Sequence, residues 1–205
     1  MSNRDAAYKV VRQLHKEGYQ ALFAGGCVRD RLLDRPAKDY DVVTDAVPEQ
    51  VTACFRRTLQ IGAQFGVVMV LTDGQQVEVA TFRTEGGYQD GRHPDYVEFG
   101  SATEDASRRD FTINGMFYDP ITKDVLDFVN GQRDLEKRIL RTIGDPDERF
   151  GEDYLRMLRA VRFAVKLEFE IEPATWAAPP KPTAMTSSDW MTSKAFTPRP
   201  WIRAR

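Results

Sequence analysis

Cysteine and histidine are scarce in this chain, whose 205 residues contain two of each. Cys27 and Cys54 are too few for a disulfide framework and lack metal-site spacing, so we expect reduced thiols in a cytoplasm. The sequence also has no run of 18 apolar residues, and its mean hydropathy is −0.49. A membrane-spanning helix is therefore excluded. The apolar stretch 19–28 is interrupted by two glycines and has no basic leader, so we do not expect a signal peptide.

An excess of either charge is missing as well. The 29 Lys and Arg residues face 31 Asp and Glu residues, which gives a net charge of −2. This balance excludes a strongly basic coat for nucleic acid, although a local basic groove remains compatible with it. The length and the 41% apolar content allow one domain with a sizeable core, or one domain and a fragment of a second.

Hydrophobic periodicity predicts alternating helices and strands in the first half of the chain. Extended segments are predicted at 19–24 and 39–44, and a hairpin at 67–81 turns at Thr72-Asp73-Gly74. Helices are predicted at 5–17, 28–33 and 48–57. The polar segment 84–95 is predicted to be a loop. Beyond residue 102 the pattern is mostly helical, with one extended piece at 125–129 and the strongest helix at 152–166.

Two glycines, Gly25 and Gly26, separate the first predicted strand from the helix that follows. Glycines at such a turn let a ligand approach the backbone, and the first amides of a helix suit a phosphate. Arg29 would add a guanidinium for phosphate oxygens. A Gly-Gly turn alone is weak evidence for phosphate binding.

Two carboxylates, Asp39 and Asp41, form an Asp-x-Asp motif a dozen residues later. On a strand their Cα atoms would lie roughly 6.6 Å apart on one face. Carboxylates so placed suit a hard divalent cation such as Mg²⁺, whereas an isolated motif of this kind is more often a solvated acidic turn. A metal pair beside a triphosphate turn is typical of a nucleotidyl-transfer site.

The motifs resemble those of a known family, the class II tRNA nucleotidyltransferases and bacterial poly(A) polymerases of the polymerase-β-like superfamily. The Gly25–Asp30 turn and the Asp39-x-Asp41 motif are joined by three further blocks in the same order. These blocks are Arg108-Arg109-Asp110-Phe111-Thr112-Ile113-Asn114-Gly115-Met116, Gly131-x-x-Asp134-Leu135, and Glu152-Asp153-x-x-Arg156-x-x-Arg159-Ala160-x-Arg162-Phe163. Together the blocks span about residues 19–170, and Gly115 replaces the family's usual alanine.

The resemblance implies an α+β fold, with a small mixed sheet backed by helices and followed by the start of a helical neck. It also implies that Asp39 and Asp41 are the catalytic residues and hold the two Mg²⁺ ions of a two-metal nucleotidyl transfer. The nucleotide-binding residues that it implies are Gly26, Arg29, Arg109, Asp153, Arg156, Arg159 and Arg162.

Asp153 and Arg156 are similar to the family's base-selecting pair. Three positions apart on the predicted helix, they would point to nearly the same side. A carboxylate accepts from the amines of cytosine and adenine, and a guanidinium donates to ring acceptors. The alternative is an ordinary ion pair on a helix surface.

Three further residues lie outside these blocks. Glu78 alternates with Val77 and Val79 and is a candidate third carboxylate, with exposed strand polarity as the alternative. His93 has no neighbouring ligand partners, so no metal role is predicted. Arg92 is a candidate contact for nucleotide or RNA.

The composition changes abruptly at the C-terminal end. Residues 177–205 contain five of the eleven prolines and two of the three tryptophans, with a net charge of +4. Such a segment is not expected to form a packed element. The predicted organisation is a nucleotidyltransferase head at 1–140, the start of a neck at 141–176 and an irregular tail at 177–205. Family members are about twice as long, so we expect a truncated chain.

The implied function is template-independent transfer of CMP and AMP from CTP and ATP to the 3′ end of tRNA. Gly62-Ala63-Gln64-Phe65-Gly66-Val67 looks more like the tRNA-directed members of the family. A poly(A) polymerase or A-adding enzyme with the same head is the first alternative. A catalytically silent remnant that binds nucleotide or RNA is the second. The oligomeric state is not predicted.

Overall fold

The computed structural model describes residues 2–60, 65–88 and 94–178. Its first element is helix α1, Asn3–Lys16. Ser2 accepts from the amide of Asp5 and the Asp5 carboxylate accepts from the amide of Ser2, which together form a capping box. The apolar residues that predicted this helix are all buried, which confirms the prediction: Ala6, Ala7, Val10, Val11 and Leu14.

A mixed sheet of seven strands forms the centre of the molecule. The strands are β1 Ala21–Ala24, β2 Asp41–Thr44, β3 Thr58–Leu59, β4 Val67–Thr72, β5 Gln75–Thr81, β8 Phe117–Tyr118 and β9 Val125–Leu126. They lie in the order β3-β4-β5-β2-β1-β8-β9. Strands β2 and β5 pair in parallel, and the other neighbouring strands are antiparallel. The predicted hairpin at 67–81 is confirmed as β4 and β5.

The two faces of the sheet are covered differently. Helix α1 packs across β1, β2 and β5, where it buries the larger apolar cluster with residues such as Phe23, Val42 and Val79. Helix α4, Ala102–Ser107, covers part of the opposite face, where Leu22, Val43 and Phe117 belong to a smaller cluster. The short helices α2, Gly26–Leu32, and α3, Pro48–Cys54, follow β1 and β2. The predicted α+β fold with helices backing a mixed sheet is confirmed.

The prediction of a loop over 84–95 is wrong at its beginning, because residues 84–86 belong to a strand. Strand β6, Arg83–Gly86, pairs in antiparallel register with β7, Tyr96–Phe99. Periodicity missed this pair because neither strand alternates apolar with polar residues and both lie at least partly open to solvent. Arg92 and His93 lie outside the described residues, as do residues 61–64 of the segment that resembles the tRNA-directed members.

The strongest predicted helix, 152–166, is divided in the structure. Helix α6, Pro146–Glu152, ends where that helix was expected to begin, and α7, Leu155–Leu167, follows after two residues. The remaining elements are a 3₁₀ turn at Thr112–Asn114, α5 Gly131–Glu136, β10 Ile139–Leu140, β11 Glu170–Ile171 and α8 Pro173–Ala177. The predicted tail lies outside the described residues from 179 onward.

In the part of the chain that the structure describes, no helix has the length and apolar character needed to cross a membrane.

Candidate active site

The acidic motif lies at the beginning of β2. Asp41 is the first residue of the strand and pairs with Ala24 of β1, whereas Asp39 precedes the strand. The prediction that one strand, 39–44, holds both residues is therefore wrong, because the strand begins two positions later, at Asp41. Because side chains alternate along a strand, Asp41 lies on the same sheet face as Val43, opposite to the face that α1 covers.

Asp41 lies in a partly desolvated position near one cation and one anion. Desolvation raises the pKa of the Asp41 carboxyl most, the Arg109 guanidinium lowers it, and the negative charge of Asp39 raises it further. Desolvation disfavours the charged form of a carboxyl. A bound divalent cation would favour the ionised form of Asp41 and offset this cost.

Glu78 lies beside Asp41. The parallel register joins Val42 to Val79, which brings Asp41 next to Glu78 with both side chains on the same face. Desolvation and then the charge of Asp41 raise the pKa of the Glu78 carboxyl. The third-carboxylate role of Glu78 stays a prediction, now with a position that suits it.

The glycine turn brings the backbone close to Arg109. Gly25 has φ +70° and precedes α2, a conformation that residues with a side chain rarely adopt. A Cβ atom at Gly25 would lie 3.3 Å from Nη1 of Arg109. The guanidinium also lies over the ring of Phe117, 5.1 Å from its centroid. Arg109 therefore stands between the glycine turn and Asp41.

A buried carboxylate that the motifs did not identify holds Arg109 in this position. The Nε and Nη2 atoms of Arg109 donate to Oδ2 of Asp105 at 3.1 and 2.9 Å, and Arg108 donates to Oδ1 through the same two atoms. Burial would raise the pKa of Asp105, but the two guanidinium groups outweigh it and the pKa is lowered. The spacing of Asp105 from Arg108 and Arg109, three and four residues along a helix, is the signal that could have revealed it.

Arg29 is buried, whereas a side chain that contacts a triphosphate directly would be open to solvent. It is 4% exposed, its Nε and Nη2 donate to Oδ1 of Asp30, and its Nη1 donates to Oδ1 of Asn114 at 2.8 Å. Asn114 in turn donates to Asp110. The structure thus places Arg29 behind the turn, where it joins α2 to the Arg108–Met116 block.

Arg159 and Arg162 lie on α7 close to one aromatic ring. The guanidinium carbons of Arg29, Arg159 and Arg162 are 5.2, 5.4 and 5.3 Å from the centroid of Phe163. Arg159 also donates through Nε to Oδ2 of Asp110 at 2.8 Å and keeps 43% of its side chain exposed. Arg162 is exposed. Both therefore present positive charge to solvent beside the block that carries Arg109.

The prediction that Asp153 and Arg156 lie three positions apart on one helix is wrong, because Asp153 precedes α7. Asp153 follows the last residue of α6, and its Oδ1 accepts from the amide of Leu155. Arg156 donates to Glu152 and to the carbonyl of Arg149, and only 8% of its side chain is exposed. The helical pattern missed the break because the Asp153 carboxylate caps the first turn of α7.

The donors available to a metal are oxygens. Among the described residues, no three His, Cys, Asp or Glu side chains lie close enough together to form a complete metal site. The hard-cation chemistry of Asp39 and Asp41 nevertheless fits Mg²⁺, which proteins often hold through one or two carboxylates plus phosphate oxygens and water. The residues present therefore fit a cation that is completed by its substrate.

Known proteins are similar to this chain in both sequence and fold. The chain is 48% identical over 173 residues to the CCA-adding enzyme of Enterococcus faecalis and 49% identical over 173 residues to that of Pediococcus pentosaceus. Each match covers 84% of this chain, which spans 42% and 43% of the lengths of those relatives. The solved structure of the Bacillus stearothermophilus CCA-adding enzyme in complex with CTP is 41% identical and superposes with a TM-score of 0.77 over 85% of this chain and 42% of that one.

A family model described as the Poly A polymerase head domain matches residues 21–141, which include the glycine turn, both motif aspartates and Arg109. The family resemblance read from the motifs is confirmed. Nucleotidyltransferases of this kind use a divalent metal, in agreement with the oxygen donors of Asp39 and Asp41. The chain belongs to the Poly A polymerase head domain family.

Proposed function

We propose that this chain catalyses nucleotidyl transfer from CTP and ATP to the 3′ end of tRNA, which builds or repairs a terminal CCA. The observation that carries the proposal is the position of Asp39 and Asp41 beside the Gly25 turn and Arg109. Relatives at 48% and 49% identity are CCA-adding enzymes, which supports the choice of substrate.

In the proposed reaction the 3′ hydroxyl of the RNA attacks the α-phosphorus of the nucleotide. The new bond joins that oxygen to phosphorus, the bond to the β-phosphate oxygen breaks, and pyrophosphate leaves while the hydroxyl proton passes to solvent. Asp39 and Asp41 would hold Mg²⁺, which supplies charge neutralisation for the attacking and leaving oxygens when bound. Glu78, adjacent to Asp41, would add a third negative charge at the same place.

The triphosphate would lie along the turn and the arginines beside it. The backbone at Gly26, free of a side chain, and the guanidinium of Arg109 form the near side. Arg159 and Arg162, exposed on α7, would meet the nucleotide from the other side. Arg29 would contribute by positioning the turn through Asp30 and Asn114.

Base selection by Asp153 and Arg156 requires a change of partners. Arg156 would release Glu152 and donate to the ring acceptors of the base, and Asp153 would accept from the exocyclic amine. Both C and A carry such an amine, so this pair would accept them and disfavour U and G.

The proposed organisation follows from the same assignment. Residues 1–140 form the head, 141–176 begin the neck and 177–205 are a tail, a division supported by the family match at 21–141. A cytoplasmic location is proposed for this activity, consistent with the free thiols of Cys27 and Cys54.

A poly(A) polymerase or A-adding enzyme is the second candidate. The name of the matching family model, Poly A polymerase head domain, favours it, while the CCA-adding enzymes at 48% and 49% identity favour CCA addition. A silent remnant that binds nucleotide or RNA is the third, since the chain spans 42% of the first relative's length.

The deciding experiment extends a tRNA that lacks its 3′ CCA, with Mg²⁺ and with CTP, ATP or both. Ordered addition of C, C and A is expected. Repeated addition of A, or a single A on a CC-ended tRNA, would favour the second candidate. The Asp41→Asn variant should be inactive, and Asp124→Asn, which changes an exposed carboxylate elsewhere, should keep the activity. Nucleotide binding without extension would favour the third candidate, a silent remnant that binds nucleotide or RNA.

A further inference from the structure

A groove opens on the sheet face opposite to Asp41. Its volume is about 590 Å³, and it lies between β1, α2, the segment 34–40 and β8. We call it the back groove and define it by Phe23, Val28, Arg31, Tyr40 and Tyr118. A second concavity of about 450 Å³ shares Phe23, Arg31 and Tyr118 with it and continues toward the N-terminal end of α1. The groove is distinct from the proposed catalytic site, which lies across the sheet.

The floor of the back groove is apolar and aromatic. Phe23, Val28 and Tyr118 are buried, with exposed fractions of 3%, 1% and 6%. Phe23 packs edge-on against Tyr40 with ring centroids 5.3 Å apart. A floor of packed rings suits the flat face of an aromatic ligand group such as a nucleobase.

The rim of the back groove is positively charged. Arg4, Arg31 and Arg35 line the first concavity, and Lys123 lines its continuation. In the described part of the chain none of these four side chains forms a salt bridge, whereas Arg109 and Arg159 of the proposed catalytic site are paired with carboxylates. Asp5 and Asp34 are the acidic residues on the rim, so the cations are in excess.

Arg31 connects the floor to the rim. Its guanidinium carbon lies 4.3 Å from the centroid of the Tyr118 ring, so one face of the guanidinium rests on an aromatic surface. Nucleobases stack on guanidinium planes as well as on aromatic rings, and guanidinium groups bind phosphate through paired donors. The same side chain can thus meet both halves of a nucleotide.

We propose that the back groove binds a nucleotide unit, with the base against the Arg31–Tyr118 stack and the phosphate between Arg31, Arg35 and Arg4. The volume is within the range of about 300–1,000 Å³ that small-ligand sites occupy. The same unit can be a free mononucleotide or one residue of single-stranded RNA. Because Tyr40 stands between Asp39 and Asp41 in the chain, a ligand in the groove contacts the segment that carries the motif aspartates.

Equilibrium binding of two probes, AMP and a ten-nucleotide adenosine RNA, tests this proposal in the presence of a metal chelator. The double variant Arg31→Ala/Arg35→Ala should weaken binding of at least one probe by about 10-fold or more, since hydrogen bonds to charged groups are lost. For the RNA, loss of two contacts should reduce the salt-dependence slope by about 1.4. Arg4→Ala should weaken binding, and the matched change Arg12→Ala, on the same helix away from the groove, should not.

Asp39→Asn alters the proposed catalytic site and should leave this binding unchanged, which separates a failure here from a failure of the proposed function. Binding of AMP as well as RNA would identify a free nucleotide as a ligand, and binding of RNA alone would identify RNA. Conservation of the helical signal in circular dichroism shows that the double variant is folded, and Arg35→Glu alone is a second test at an exposed rim position. No binding of either probe, or binding equally sensitive to Arg12→Ala, would overturn the proposal.

Discussion

Replacement of Asp105 by asparagine tests whether the arginines beside the glycine turn depend on one buried carboxylate. Asp105 is fully buried, and its two oxygens accept from Arg108, Arg109 and the backbone amide of Arg83. Asparagine keeps the shape of the side chain but removes the charge and turns one acceptor into a donor. The donor would then face a guanidinium group.

The expected loss of stability follows from the burial of the three charged groups. Arg108 and Arg109 keep only 17% and 18% of their side chains exposed, so solvent replaces the lost carboxylate poorly. Removal of one partner of a buried ion pair costs about 3–5 kcal/mol, and the remaining exposure of the arginines favours the lower end. Small domains have about 5–15 kcal/mol in total, so the variant should be marginally stable.

Urea unfolding followed by circular dichroism measures this loss directly. Glu136→Gln is the control, because it removes an exposed acidic charge on another helix and should change the free energy of unfolding by less than about 0.5 kcal/mol. A difference below about 1 kcal/mol between the wild type and Asp105→Asn would refute the argument that Asp105 holds the two arginines.

The stability difference between wild type and Asp105→Asn should depend on pH in a definite direction. The pKa of Asp105 is lowered in the folded state, so its stabilisation is present above the ordinary value of 3.8 and is lost as the pH falls through the lower folded value. The difference in stability between wild type and Asp105→Asn should therefore be constant between pH 5 and 7. It should shrink below about pH 3.8.

Three further changes have defined outcomes. Asp41→Asn should reduce nucleotide transfer by about a thousand-fold or more without loss of stability, and wild-type extension of tRNA by this variant would contradict the assignment. Gly25→Ala should cost about 1–3 kcal/mol in urea unfolding, because alanine is strained at φ +70° and its Cβ would meet Arg109. Burial and the Glu85 carboxylate raise the pKa of Tyr88 to about 12. Glu85→Gln should therefore lower the pKa of Tyr88 in an ultraviolet titration, and Tyr88→Phe identifies the signal of this tyrosine.

The parts of the fold that could be predicted are those in which local pattern and burial agree. Helix α1 carries apolar residues at helical spacing, and the β4–β5 hairpin has a turn sequence between two alternating strands. The motif aspartates could be found because their residue types and order are themselves the signal. Their roles in catalysis stay predictions that the extension experiment addresses.

The parts that could not be predicted depend on contacts between distant segments. Strand β6 forms because β7 lies opposite to it, and neither strand has an apolar alternation of its own. At the break before α7 the Asp153 carboxylate accepts from the Leu155 amide, a contact that helical periodicity does not reveal. Arg29 is buried because Asn114, 85 positions along the chain, accepts from it. Each of these features can be predicted only when the tertiary fold is known.

The pairing of arginines with carboxylates explains how a chain of net charge −2 could hold the polyanionic substrate of the proposed function. Asp105 and Asp110 bind arginines from behind and fix their directions, so the local field depends on orientation more than on the number of charges. Arg159 shows the arrangement most clearly, since Asp110 accepts from it while 43% of the side chain stays exposed. A guanidinium held in this way loses little rotational freedom on meeting a phosphate, because the carboxylate has already restricted it. The proposed site therefore depends on a few arginines that buried carboxylates orient, since the composition excludes a strongly basic coat.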